Sequence, residues 1–173
     1  MRKTLASLCC SLLLVATATA DPLHDVVEHG TVEQARRLVE RGADINGRNI
    51  EGETPLHEAA EEGRLDMVKF LVESGARRAV RDDDGETPLH EAAEDGHLEV
   101  VRYLVEHGTP IDALDKHSQS ALHLAIKEKK EAVALYLISA GAGLGYRNED
   151  LKSALDLARA QGLTSVVQAL EGR

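Results

Sequence analysis

A ten-residue block running from Gly52 to Glu61 returns unchanged as Gly85 to Glu94, so that Thr54-Pro55-Leu56-His57-Glu58-Ala59-Ala60 has a full copy 33 residues later. A period of this length is the mark of a repeat architecture and constrains the fold before any local propensity does. One such unit cannot bury its apolar face alone. Units must therefore stack, and the molecule grows in one dimension and presents surface.

Sliding the 33-residue frame in both directions yields five units. Leu23, Leu56, Leu89, Leu122 and Leu155 fall in register, as do His24, His57, His90 and His123, with Asp156 in the last unit. Gly30, Gly63, Gly96 and Gly162 separate two helical patterns, and Gly42, Gly75, Gly108 and Gly141 close the second helix of each full unit. The unit boundaries fall at about 21–50, 51–83, 84–116, 117–149 and 150–173.

Within a unit, Thr54 or Thr87 caps a helix whose first residue, Pro55 or Pro88, lacks only an amide that would have no partner there. Gly63 and Gly96 permit a left-handed turn into a second helix. That helix carries Leu65, Val68, Leu71 and Val72 in one unit and Leu98, Val101, Leu104 and Val105 in the next, a one-sided apolar stripe. A polar connection rich in Asp, Arg and Gly follows, too short for another helix, and reads as a turn or hairpin. The fold class is all-α, a solenoid of about five stacked helix-turn-helix units.

At this point the sequence resembles the ankyrin repeat family, whose units carry Gly-x-Thr-Pro-Leu-His-x-Ala-Ala-x-x-Gly and then Leu-x-x-Val-x-x-Leu-Val-x-x-Gly-Ala. The likeness spans residues 21–173 and is most specific in the second and third units. It implies antiparallel helix pairs, hairpin fingers along one edge, and a concave face lined by the first helices. The outer units depart as caps would. Asp21-Pro22 stands at the Thr-Pro position, and Ser153 and Asp156 form a Ser-x-x-Asp start in the last unit. In the fourth unit Lys129 replaces the inter-helix glycine, which predicts a non-glycine residue in left-handed conformation.

Residues 1–20 stand apart from the repeats. Arg2 and Lys3 precede an apolar run, Leu5 to Ala16, and a small-x-small exit, Ala18-Thr19-Ala20, the pattern of a secretory signal cleaved after Ala20. Both cysteines, Cys9 and Cys10, lie inside it, which leaves a mature chain without a thiol. Cleavage also removes two basic residues and no acid, moving the formal net charge from −10 to −12. So acidic a chain disfavours nucleic acid and anionic membrane surfaces and attracts a basic partner.

Catalytic motifs find little support. Histidines one repeat apart are separated by a helix spacing of about 10 Å, too far to share a zinc with bonds of about 2 Å. His57-Glu58-Ala59-Ala60-Glu61 begins like a zinc-peptidase motif but lacks its second histidine. The resemblance implies instead a histidine hydrogen-bonded to backbone in the neighbouring connection. Phe70, Tyr103 and Tyr136 recur at one second-helix position and read as packing. No metal or cofactor is expected, and the chain reads as a non-enzyme.

The family likeness places partner contacts on the fingers and on the outward positions of the first helices. In the second unit these positions hold Ile50, Glu51, Glu53, Glu58, Glu61 and Glu62; in the third they hold Asp83, Asp84, Glu86, Glu91, Glu94 and Asp95. All but Ile50 are acidic, which predicts an acidic recognition face, with Tyr146 in the last finger as an added contact. The equivalent row in the fourth unit, Lys116, His117, Gln119, Leu124, Lys127 and Glu128, is mixed. The expectation is an exported bacterial protein, periplasmic or alternatively secreted. It is expected to be a monomer that binds a basic protein partner, and not nucleic acid or membrane. Inhibition of a toxin and protection of an oxidative-stress enzyme remain alternative roles, as does a metal-dependent hydrolase.

Overall fold

A computed structural model describes residues 22–172. The signal segment, its cysteines, the cleavage point and the Asp21 cap lie outside the described residues. The described chain forms five helix pairs: α1 (Pro22–His29) with α2 (Val32–Glu40), α3 (Pro55–Glu61) with α4 (Leu65–Glu73), α5 (Pro88–Asp95) with α6 (Leu98–Glu106), α7 (Ala121–Lys127) with α8 (Glu131–Ser139), and α9 (Ala154–Gln161) with α10 (Thr164–Glu171). First helices pack on first helices (α1, α3, α5, α7, α9 in order) and second helices on second, which makes two layers. No helix among the described residues is long and apolar enough to cross a membrane.

The first helices approach closely because α3, α5, α7 and α9 bury small side chains between them. Ala59, Ala60, Ala92, Ala93 and Ala125 have no solvent exposure, and Leu56, Leu89 and Leu122 are buried beside them. The second layer adds Met67, Val68, Leu71, Val100, Val101, Leu104, Val133 and Leu137. A fully buried leucine contributes about 1.5–3 kcal/mol relative to an exposed one, so this shared core holds the stack. Each pair alone has too little of it.

The starts and turns follow from the expected residues. Thr54 and Thr87 are extended, and the helices begin at Pro55 and Pro88. The amide of Thr54 donates to His57 Nδ1 at 3.1 Å, and that of Thr87 to His90 Nδ1 at the same distance. A histidine thus takes the place of the glutamate of an ordinary capping box. Ser120 keeps the arrangement with His123 although Ala121 replaces proline. Ser153 and Asp156 form the expected reciprocal cap in the fifth unit. Gly63 and Gly96 have φ of 64° and 85°, and Lys129 adopts φ 58° at the glycine position, as its place in the repeat predicts.

The connections form fingers with a recurrent turn. Amide-to-carbonyl bonds Asn49 to Glu53, Asp82 to Glu86, Asp115 to Gln119 and Asn148 to Lys152 close each one at 2.9–3.1 Å. Successive fingers are joined by one further backbone bond: Asp83 donates to the Glu51 carbonyl, Lys116 to that of Asp84, and Glu149 to that of His117. The fingers are therefore in register with the helices beneath them. Ser118 and Leu151 take φ of 59° and 61° where Gly52 and Gly85 stand in the other fingers.

Leu71 and Leu104 are wholly buried in the second layer. Replacing either with alanine is expected to lower stability by about 2–5 kcal/mol, read from chemical denaturation, through lost burial and an incompletely collapsed cavity. A loss well under 1 kcal/mol would show that the apolar stripe is not the core.

Candidate functional site: an acidic concave face

The first helices and the inner sides of the fingers put carboxylates of the second and third units on one surface. Glu53, Asp82 and Glu91 each offer an oxygen within 4.8 Å of the other two, and all three are half-buried. Glu86 is half-buried beside them. Next along the face is an open hollow of about 310 Å³ lined by Glu61, Glu91, Glu94, Asp95, Glu128 and Lys130. Lys127 Nζ lies 3.7 Å from Glu94 at its edge.

Crowding of like charges in a partly dry setting changes the protonation of this face. Burial, with added repulsion from Glu86, Glu61, Glu53 and Asp82, pushes the Glu91 carboxyl up to about 9. Glu86 is pushed up to about 7, again first by burial and then by Glu94, Asp82 and Asp115, with Lys127 opposing. Glu53 and Glu61 are raised by burial as well, and Asn49 offsets part of the effect at Glu53. Repulsion between carboxylates adds to burial in each of these environments.

The twelve sequence-predicted residues separate into groups. Glu53, Glu61, Glu86, Glu91 and Glu94 converge on the concave face. Glu62 and Asp95 are exposed near the C-terminal ends of α3 and α5, with Asp95 also lining the hollow. On the fingers, Glu51 is exposed, Asp83 pairs with Arg48 at 3.2 Å, and Asp84 pairs with Lys116. Tyr146 is 37% exposed in the last finger, its ring lying over Gly143. Glu58 differs from the rest. It is turned into the junction with the first unit, where its Oε1 meets His24 Nδ1 at 2.6 Å and Asn49 Nδ2 at 3.3 Å.

Asp82 is the residue of this face that the outward-position pattern missed. Its Oδ1 accepts the amides of Asp84 and Glu86 at 2.9 and 2.8 Å, so its first role is to shape the turn. The signal was present in the register of Asn49, Asp82, Asp115 and Asn148, one per finger. A basic row was missed too. Arg64 donates to the carbonyls of Val27, Glu28 and Gly30 at the end of α1, and His97 Nε2 meets the Glu61 carbonyl at 2.6 Å at the end of α3. These side chains satisfy helix-end acceptors of the preceding unit.

The repeated histidines are tied to backbone. In His57 and His90, Nδ1 accepts from the cap amide, so the proton sits on Nε2, which donates to the carbonyls of Glu86 and Gln119 at 3.3 Å. Burial lowers both below the ordinary imidazole range, with these carbonyls opposing. His123 is lowered for the same first reason, with the Tyr146 carbonyl opposing. A side chain so occupied is poorly placed for general acid–base work.

Comparison with family models agrees with this architecture. Residues 23–72 match a model described as ankyrin repeats (many copies), and residues 75–148 match one described as ankyrin repeats (3 copies). The chain belongs to the ankyrin repeat family. A search of curated proteins gave no match. Ankyrin repeats generally mediate protein–protein interaction, and ankyrin repeat proteins are typically non-enzymatic scaffolds. The three clustered carboxylates of Glu53, Asp82 and Glu91 supply only part of the roughly 6–8 oxygen ligands that calcium takes.

The raised carboxyls give a signed pH prediction. Folded Glu91 keeps its proton to about 9, whereas an ordinary glutamate releases it near 4.5. Between these values the folded state binds more protons than the unfolded one, so this group's effect is to lower stability as pH rises through the window. Glu91→Gln is expected to match the parent at pH 4 and exceed it at pH 8, by on the order of 1–2 kcal/mol after solvent screening. Urea denaturation at the two pH values checks this; an equal difference at both would contradict it.

Proposed function

We propose that this ankyrin repeat protein is an exported, non-enzymatic scaffold that binds a protein partner with a basic surface. The contacts are made through the acidic concave face and the neighbouring finger tips. The observation that carries this reading is the convergence of Glu53, Asp82, Glu86 and Glu91 on one partly dry surface, where they repel one another. Arrangements of this kind are costly to the free protein. Lysine or arginine side chains entering the face would relieve the repulsion and supply the missing counter-charge.

The formal charge of −10 extends the attraction beyond contact distance and accelerates encounter at low ionic strength. Above the physiological range, where the screening length is about 8 Å, the acceleration fades. Export rests on the basic, apolar and small-residue order of residues 1–20, which directs a bacterial chain to the periplasm. Toxin inhibition and protection of an enzyme would both use this face, since each needs only a tightly held basic partner.

The test combines charge reversal with salt. Glu61→Lys, Glu94→Lys and Asp95→Lys together leave the buried leucines and the capping histidines untouched, so circular dichroism should retain the helical spectrum. Immobilised parent protein is expected to retain basic proteins from an extract of the producing cell at low salt and to lose them at high salt. The triple variant should retain at least tenfold less. Equal retention by parent and variant would sink the acidic-face reading.

A further inference from the structure

The stem of one finger is tied to the next by a side chain that accepts a backbone amide. Asn46 Oδ1 accepts the Arg77 amide at 2.8 Å between the first and second units, and Asp112 Oδ1 accepts the Gly143 amide at 2.7 Å between the third and fourth. Between the second and third units the equivalent positions hold Ala79 and Pro110. Alanine has no side-chain acceptor and proline has no amide proton, so donor and acceptor are lost together and neither is orphaned. The two stems are left untied at this junction.

A groove lies at the same place. One hollow of about 540 Å³ is lined by Ala79, Pro110, Ile111 and Ala113 among others, and a second of about 360 Å³ adjoins it, sharing Ala79 and Pro110. Ala79 and Pro110 are exposed, and Ile111 and Ala113 are half-buried. Arginines complete the walls: Arg81 in the first hollow, Arg77 and Arg78 in the second. In a chain with 30 acids against 20 lysines and arginines, a basic side chain readily finds a carboxylate, as Arg37, Arg48, Lys116, Arg147 and Arg159 do. Arg77, Arg78 and Arg81 make no ion pair among the described residues. The Arg81 guanidinium donates to the carbonyls of Gly85 and Leu114, which fixes its position and leaves its charge unmatched. The acid of the groove wall, Asp112, has its Oδ1 committed to the Gly143 amide.

We propose that this groove docks an acidic segment of a partner protein, with an apolar side chain of that segment on Ala79 and Pro110 and its carboxylates on Arg77, Arg78 and Arg81. Charge complementarity selects the sign of the occupant, because three unmatched guanidiniums stand together on an otherwise acidic chain. The lining selects its kind. A bare anion such as phosphate would satisfy the arginines and leave Ala79, Pro110 and Ile111 uncovered, whereas a peptide segment carries carboxylates and an apolar group on one backbone. Guanidinium and carboxylate also match in shape, two parallel N–H donors to two oxygens. An apolar centre with an arginine rim is the composition of a protein interface.

This surface is separate from the acidic face and opposite to it in charge. The groove shares no lining residue with the hollow formed by Glu61, Glu91, Glu94 and Asp95. The protein then carries two surfaces, one for a basic partner and one for an acidic segment, and either can fail a test while the other passes it.

Selection from a displayed library of random peptides on the immobilised protein, followed by anisotropy titration of the labelled winners, tests the groove. One enriched class is expected to combine Asp or Glu with Leu, Ile or Phe. Arg77→Ala with Arg78→Ala should bind that peptide at least tenfold more weakly. Ala79→Asn with Pro110→Ala restores the donor and acceptor of the tie that Asn46 makes, and should close the groove with a similar loss while circular dichroism retains the helical spectrum. Glu61→Lys, Glu94→Lys and Asp95→Lys together, which disable the acidic face, should not weaken this peptide, so the two surfaces are told apart. Enrichment of basic peptides alone, an acidic peptide held equally by the parent and both groove variants, or its displacement by inorganic phosphate at equal concentration would overturn the proposal. Should a groove variant not fold, nitrogen-15 amide shifts of the parent decide: changes centred on residues 77–81 and 108–113 support docking there, and changes centred on α3 and α5 rule it out.

Discussion

Everything in this molecule hangs on the close lateral contact of its first helices. Alanine at Ala59, Ala60, Ala92 and Ala93 lets neighbouring helices approach until no solvent touches these side chains. The leucines behind them complete a core that runs continuously through the units. No unit owns that core. The stability of any pair depends on the neighbour that covers it, as expected of a quasi-one-dimensional assembly. Among the described residues the first unit has a neighbour on one side, and its burial is thin, with α2 contributing only Ala35.

The same contact produces the electrostatics. Stacking at a fixed register superimposes equivalent positions, so a glutamate repeated in sequence becomes a column of glutamates in space. Glu61 and Glu94 are equivalent in the repeat, as are Glu53 and Glu86; in the stack Glu53 acts on Glu61, Glu94 acts on Glu86, and Glu86, Glu61 and Glu53 all act on Glu91. A basic side chain elsewhere in the register has the opposite effect: Arg64 and His97 each reach back to carbonyls ending the previous unit's first helix. The face is strained because its charges match, and the back-reaching row is stabilising because its donors meet acceptors.

What could be read in advance was whatever depends on a residue and its near neighbours along the chain. The Thr-Pro starts, the left-handed glycines, Lys129 in their conformation and the Ser153–Asp156 cap are of this kind. So is the bond of the histidine Nδ1 to the cap amide three residues earlier, while the tie of Nε2 to the next finger in the second and third units follows from the family resemblance. Contacts spanning a whole repeat were illegible: Glu58 with His24 is 34 residues away, and Arg64 reaches Val27 across 37. Asp82 was passed over because its turn-forming role is local, while its place beside Glu91 depends on how the finger lies over α5. Register predicts which positions are neighbours, but not which of two available partners a side chain takes.

Glu58 and Glu91 show how far that last choice can carry. They occupy the same place in two blocks that are identical over ten residues, so no property of the block distinguishes them. In the unit before Glu91, His57 Nδ1 already accepts the Thr54 amide. Glu91 is left among Glu86, Glu61 and Glu53 and keeps its own proton to about 9. Glu58 instead meets His24, whose ring turns its Nδ1 to the carboxylate and its Nε2 to the Gly47 carbonyl. Identical sequence thus yields a half-buried acid open to an incoming cation in one unit and an internal bond between units in the other. The difference arises from the neighbours each glutamate meets: His24 and Asn49 for Glu58, and Glu86, Glu61, Glu53 and Asp82 for Glu91.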